Sequence, residues 1–242
     1  MKKTISFALC ALILLSLPAM PGFGQAAEDA LSKMINALGG RKALGAIKDT
    51  TISGSVELAQ FGLTASITMS QKEPDKLRID MDVMDMVIAM GYDGRKGWFT
   101  DPQSGTTQEM PEFQSRDFSR QALGNAALLD PQKLGITFAL KPKEKIEGKE
   151  YIVLEQILAD GHSITFFLDP ATYLPYKAKT RAMGQSGAEV EAETYFSDYR
   201  KVENTMVAHS IRTLQDGVEA QKVTIVKVVY NSNLDDSLFQ MR

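Results

Sequence analysis

An apolar residue at every second position, sustained through three successive segments, constrains this chain more than any other feature. Ile52, Gly54, Val56 and Leu58 alternate with Ser53, Ser55 and Glu57. Leu63, Ala65, Ile67 and Met69 alternate with Thr64, Ser66, Thr68 and Ser70, and Leu77, Ile79 and Met81 with Arg78, Asp80 and Asp82. A period of two sends the two sets to opposite faces of a strand. Each segment then has one dry and one wet face, as in an antiparallel sheet exposed on one side.

The next segment, Met90 to Pro102, is punctuated for a hairpin and contains the only tryptophan of the chain, Trp98. Asp93-Gly94 supplies the positive φ angles of a tight turn between Val87–Tyr92 and Gly97–Thr100, and Asp101-Pro102 ends the second strand because proline cannot donate to a ladder. Further strands are expected at Tyr151–Leu158, His162–Leu168, Tyr173–Ala182, Glu189–Asp198, Val207–Leu214 and Val218–Tyr230, with Asp160-Gly161 and Asp216-Gly217 as turns.

Helical spacing interrupts this pattern twice. Leu31, Met34, Ile35 and Leu38 predict an amphipathic helix stopped by Gly39-Gly40, followed by a short helix through Ala43, Leu44 and Ile47. Between Met110 and Leu134 the alternation disappears, and Phe113, Phe118, Ala122 and Leu129 suggest a helix and loop lying over something apolar. Lys141 to Lys149, with Glu144 and Glu147 interspersed, reads as a solvated turn region. The expected fold is mainly β with flanking helices: one domain, residues 27–242, built on a single long, curved antiparallel sheet of about nine or ten strands.

Residues 1–26 read as a cleaved export signal: Lys2 and Lys3 precede an apolar stretch from Ile5 to Leu17, and Gly24-Gln25-Ala26 forms a small-residue exit. No later stretch reaches the roughly 18 to 20 uncharged residues of a membrane helix, so the mature chain is expected to have no transmembrane segment. The lone cysteine, Cys10, lies in the leader, leaving the mature chain to rely on core burial; about 215 residues suffice for one sizeable core. Without Lys2 and Lys3 the 27 basic residues become 25 against 30 acids, a formal charge of about −5 that disfavours nucleic-acid binding.

The residues offer little to catalysis. His162 and His209 are the only histidines, and no His-x-x-x-His or Cys-x-x-Cys spacing gathers metal ligands. There is no Gly-x-Ser-x-Gly elbow in the mature chain; Gly184-Gln185-Ser186-Gly187 reads as a loop, and Gly39-Gly40 as a helix end rather than a phosphate cradle. The carboxylates Asp80, Asp82 and Asp85, and Glu189, Glu191 and Glu193, alternate with apolar residues and read as solvated strand faces, with no aromatic pocket around one member. No catalytic residue, metal or cofactor is expected.

Methionine does stand out. Met69, Met81, Met84, Met86, Met90 and Met110 lie close together in sequence beside Trp98, Phe99, Phe113 and Phe118. Methionine is flexible and polarizable, so such a cluster either fills a core or re-packs around an apolar ligand.

The run Asp93-Gly94-Arg95-Lys96-Gly97-Trp98-Phe99-Thr100-Asp101-Pro102 resembles a pattern of the periplasmic lipoprotein carriers, the outer-membrane lipoprotein-sorting family typified by LolA. Lys72-Glu73-Pro74-Asp75-Lys76-Leu77 and Phe167-Leu168-Asp169-Pro170-Ala171-Thr172-Tyr173-Leu174-Pro175 resemble the same family in the same order. Tyr195-Phe196-Ser197-Asp198-Tyr199-Arg200 and Asp235-Asp236-Ser237-Leu238-Phe239 resemble its distant bacterial relatives. The resemblance implies an open half-barrel capped by helices, located in the periplasm. It implies an apolar concave cavity that binds lipoprotein acyl chains or lipid, a non-enzymatic role, and exchange with inner- or outer-membrane transfer proteins. It favours Met69, Met81, Met86, Met90, Trp98, Phe99 and Phe118 as cavity lining. One departure is visible: Glu73 stands where the family's carriers have an arginine that helps hold the closed lid. The alternative reading is an envelope sensor or protein-interaction module on the same fold.

Overall fold

The computed structural model describes residues 23–84, 86–183 and 188–241. Asp85, the Gly184–Gly187 loop, Cys10 and most of the leader therefore lie outside the described residues. Helix α1 (Phe23–Ala37) starts within the segment assigned to the leader, and α2 (Gly40–Ala46) follows at once. Then come β1 (Asp49–Leu58), β2 (Leu63–Lys72), β3 (Lys76–Val83), β4 (Met86–Tyr92), β5 (Gly97–Thr100) and β6 (Thr107–Glu109). Two further helices, α3 (Glu112–Ala122) and α4 (Ala126–Leu129), precede β7 (Thr137–Ile146), β8 (Lys149–Ile157), β9 (Ser163–Leu168) and β10 (Pro175–Met183). The chain closes with β11 (Glu189–Val202), β12 (Thr205–Gln215) and β13 (Val218–Tyr230).

These strands form one antiparallel sheet of 13 strands, ordered β6-β5-β4-β3-β2-β1-β13-β12-β11-β10-β9-β8-β7. Every neighbour is also a neighbour in sequence except β1 and β13, whose pairing joins an N-terminal and a C-terminal half. The sheet is mainly β architecture left open, with helices on one face, here called the inner face. No helix among the described residues is long and apolar enough to cross a membrane.

Register carries the apolar alternation across the sheet in continuous rows. Val228 opposes Ile52, Ile52 opposes Met69, Met69 opposes Ile79, and the row continues through Met90 to Phe99. A parallel row runs Ile225, Gly54, Ile67, Met81, Ile88. Gly54 is required here, because a Cβ would lie 2.0 Å from the Thr224 carbonyl oxygen where β13 bulges. On the other half, α1 packs Leu31, Met34 and Ile35 against Leu154 and Leu168 of the sheet, each fully buried side chain contributing about 1.5–3 kcal/mol. Gly39-Gly40 does end α1: Gly39 has φ 130° and lies so close to Asn204 that a Cβ would sit 2.4 Å from its carbonyl oxygen.

Two strands depart from the expectation. Lys141–Lys149 is not a turn region; most of it is β7, the sheet edge, and the turn is confined to Glu147-Gly148. Its first half keeps Phe138 and Leu140 packed against the cluster under α1, whereas from Lys141 to Lys145 the edge is exposed and the apolar alternation fades. Lys141, Pro142, Lys143 and Lys145 instead discourage pairing with a second sheet. The other edge, β6, is too short to show a period.

The outer face of the N-terminal half is crossed by the C-terminal segment after β13. The Asp49 carboxylate, in a side chain 3% exposed, accepts from the backbone amides of Ser232, Asn233 and Leu234 and from the Ser232 hydroxyl. Lys72 donates to the Leu234 carbonyl at 2.7 Å, and both Lys72 and Lys76 pair with Asp236. Arg78 donates to the Leu238 carbonyl at 3.0 Å while gripping Asp80. The strap thus runs across β1, β2 and β3 and ends by burying Phe239 completely.

Candidate functional site

Under the short helix α2 the inner face is hollow. A cavity of about 310 Å³ lies between Leu44 and Ile47 above and Ile52, Ile225, Val228 and Ile211 of the sheet below, with Phe196 on the far side. The strands supply apolar residues here for the reason read from the sequence: these are their dry-face positions. Burial beneath helices too short to fill the space leaves a void rather than a packed core.

The rim of the cavity is polar but satisfied. Tyr199 donates its hydroxyl to the Pro175 carbonyl at 2.7 Å, and the Tyr230 and Thr205 hydroxyls pair at 2.7 Å. Burial pushes both phenols up from their ordinary pKa, keeping them neutral. Gln71 donates to the Ala122 carbonyl at the end of α3, and Asn125 to the Leu44 carbonyl, tying α2 to the α3–α4 connection.

That connection is also held from the sheet. The Glu73 carboxylate accepts from the Asn125 amide at 2.8 Å. Burial raises its pKa, partly offset by the amides of Asn125 and Ala126 and by Lys48. Further along, Arg120 of α3 pairs with Asp117 and reaches Asp160 in the β8–β9 turn at 2.7 Å, so α3 spans from one half of the sheet to the other. At its start α3 presses on β5: the Gly97 amide donates to Ser115 Oγ at 2.7 Å, and a Cβ at Gly97 would lie 3.0 Å from Ser115 Cα.

The seven residues singled out in the sequence divide. Met69, Met81, Met90 and Phe99 are half-buried on the inner face, in the rows that continue outward from the cavity wall. Met86 ends that face, opposite Val83, and is 50% exposed. Phe118 is half-buried on α3, one turn beyond Ser115. Trp98 stands apart from the methionines. It opposes Gly91 on the outer face, where a Cβ on Gly91 would lie 2.8 Å from the indole. Its Nε1 donates to the Phe239 carbonyl at 2.6 Å, Arg78 lies 5.4 Å over the ring, and the side chain is 4% exposed.

None of the seven lines the cavity directly. Its walls come from residues as far apart as Leu38 and Tyr230, and its one methionine is Met206, outside the cluster. The signal that could have found it is the conjunction of dry-face positions on β1, β12 and β13 with the brevity of α2.

The remaining titratable residues are committed elsewhere. His162 is half-buried with Nε2 at 2.7 Å from the Thr180 hydroxyl, and His209 is buried with Nδ1 at the Val207 carbonyl. Glu193 is a correction to the reading of a solvated carboxylate face. It pairs with the buried Lys177 at 2.7 Å and accepts from the Tyr195 hydroxyl at 3.0 Å, while Lys177 lies over the Phe167 ring. The proximity of Glu193, after burial, pushes the Tyr195 phenol up to about 12. Tyr195 stands two positions along the same strand, but Lys177 and Phe167 come from β10 and β9, so no local spacing announces the buried pair. No group of three or more His, Cys, Asp or Glu side chains among the described residues could hold a metal ion.

No family model matches the chain, and no curated protein matches it. Solved structures do. A DUF1329 family protein from Desulfovibrio piger superposes with a TM-score of 0.61 at 15% identity, covering 90% of this chain and 97% of that one. A putative outer membrane lipoprotein-sorting protein domain from Vibrio parahaemolyticus gives 0.60 at 18% identity, covering 88% and 97%. A LolA superfamily protein from Nitrosomonas europaea gives 0.59 at 12% identity, covering 88% and 97%. The architecture is therefore a LolA-like fold: an open antiparallel half-barrel with helices over its inner face.

Proposed function

We propose that the protein is a periplasmic, non-enzymatic carrier or binder of amphiphiles, lipoproteins among them, which holds an alkyl or acyl chain in the inner-face cavity. The observation that carries this reading is the 310 Å³ cavity itself, walled largely by apolar side chains and roofed by α2 and the α3–α4 connection. That volume lies at the lower end of the roughly 300–1,000 Å³ typical of ligand pockets. Each methylene buried there contributes about 0.8 kcal/mol, so a chain of modest length suffices for useful affinity. The half-buried Met69, Met81, Met90 and Phe99 extend the apolar surface beyond the void, with Met86 at its open end and Phe118 above, and Trp98 braces the same strands from behind. The fold shared with a lipoprotein-sorting domain supports the reading, as does the leader for the location. Handover to a membrane-bound acceptor follows as part of the same proposal.

The test is to purify the protein from its native envelope, extract it and identify bound molecules by mass spectrometry, then titrate emptied protein with a neutral fluorescent alkyl probe. Stoichiometric alkyl-bearing molecules and saturable probe binding are expected. Empty protein that also ignores the probe contradicts the proposal.

A further inference from the structure

Among the described side chains lining the cavity, Glu73 is the one ionisable carboxylate, and no lysine, arginine or histidine is among them. It extends from the β2–β3 turn to the roof, and a Cβ on Gly124 would lie 2.2 Å from its Oε1, so the bare backbone at 124 is what lets the carboxylate approach. The charged groups that act on it are Lys48, in the α2–β1 connection, and Asp75, in its own turn, while the α3–α4 segment presents backbone amides. The Lys48 ammonium is turned to the Gly45 carbonyl at 3.2 Å. One end of the cavity therefore carries a carboxylate, while the rest of its polar rim is made of uncharged hydroxyl and amide groups.

We propose that the cavity selects single-chain amphiphiles bearing a cationic amine head over those bearing a carboxylate, with Glu73 as the partner of the head group. This rests on the reading that the cavity takes alkyl chains at all. An alkylammonium places its charge against a half-buried carboxylate, where a pair is screened far less than in water. A carboxylate head brought to the same point meets the like charges of Glu73 and Asp75, which Lys48 offsets only in part because its ammonium is turned to the Gly45 carbonyl. A neutral head lies between the two. The void is small enough that one chain occupies it, which leaves the head near the rim where Glu73 sits.

Binding of decylamine, decanol and decanoate to the purified protein at neutral pH tests this. Decylamine is expected to bind at least about tenfold more tightly than decanoate, with decanol between them. Glu73→Gln preserves an acceptor for the Asn125 amide and is expected to bring all three within about threefold of one another. A second arm uses the unaltered protein, in case Glu73→Gln does not fold. Burial makes Glu73 protonate at higher pH than an ordinary glutamate, so decylamine affinity falls on acidification from neutral pH, earlier than an ordinary glutamate would dictate, while decanol affinity holds. Protonation of Glu73 itself favours the fold, because its folded-state pKa is raised, whereas Asp160, Asp169 and Glu193, held below the ordinary range by their cationic partners and amides, lose stability on acidification; constant decanol affinity is what shows that the protein stays folded. Equal binding of the three ligands, or a preference that Glu73→Gln and acidification leave unchanged, overturns this proposal alone. Absence of binding by all three overturns it together with the carrier reading.

Discussion

Trp98→Ala is expected to lower the free energy of unfolding by about 3–5 kcal/mol. The indole is 4% exposed, packs over Gly91 and beneath Arg78, and donates to the Phe239 carbonyl. Truncation opens a cavity between β5 and the C-terminal strap and leaves that carbonyl without its donor, itself a cost of about 1–3 kcal/mol where the group stays dry. Urea unfolding followed by circular dichroism measures the loss. In conditions where the variant is still folded, alkyl binding is expected to stay within about threefold of the unaltered protein, because the indole faces away from the cavity. A loss below about 1 kcal/mol contradicts the anchoring role, and a collapse of binding in folded protein contradicts the placement of Trp98 behind the wall.

Ile211→Phe combined with Val228→Phe is expected to abolish alkyl binding while sparing the fold. Both residues line the void, and Val228 stands directly opposite Ile52. Overpacking a filled core costs about 1–3 kcal/mol per substitution, whereas rings entering empty space gain contacts that a void denies its lining. Excluding even two methylenes of a ligand, at about 0.8 kcal/mol each, weakens binding by roughly tenfold. The pair is expected to melt within a few degrees of the unaltered protein. Unchanged affinity with a native circular dichroism spectrum places the ligand somewhere else.

Much of the fold was legible because most of it is local. Alternation at Ile52–Leu58, Leu63–Met69 and Leu77–Met81 marks β1, β2 and β3, and Asp-Gly turns mark their successors; Leu31, Met34 and Ile35 mark α1. The face of Trp98 was decided by something smaller. The hairpin pairs Met90 with Phe99 and Gly91 with Trp98, so the tryptophan falls on the opposite face from Met90 although the two stand near each other in sequence. A one-residue change of register inverts every such assignment. The strap after Tyr230 has no period at all; it is held by Asp49, Lys72 and Arg78, each about 160 to 185 residues away. The cavity is equally non-local, since a void is defined by what α2 fails to cover rather than by any residue type. Glu73 was visible as a departure from a family pattern. Its role as a roof contact and as the carboxylate among the described cavity lining required the approach of Gly124 and Asn125.

If the inner-face cavity receives an alkyl chain, methyl-labelled methionine NMR during a decanol titration reports its arrival. Met206 lines the void and Met69 stands beside Ile52 on its wall. The Met206 methyl resonance is expected to shift first and furthest, followed by those of Met69 and Met90, with Met241 unmoved. Saturating decanol that leaves Met206 unshifted, or that perturbs only the exposed Met84 and Met241, contradicts the account.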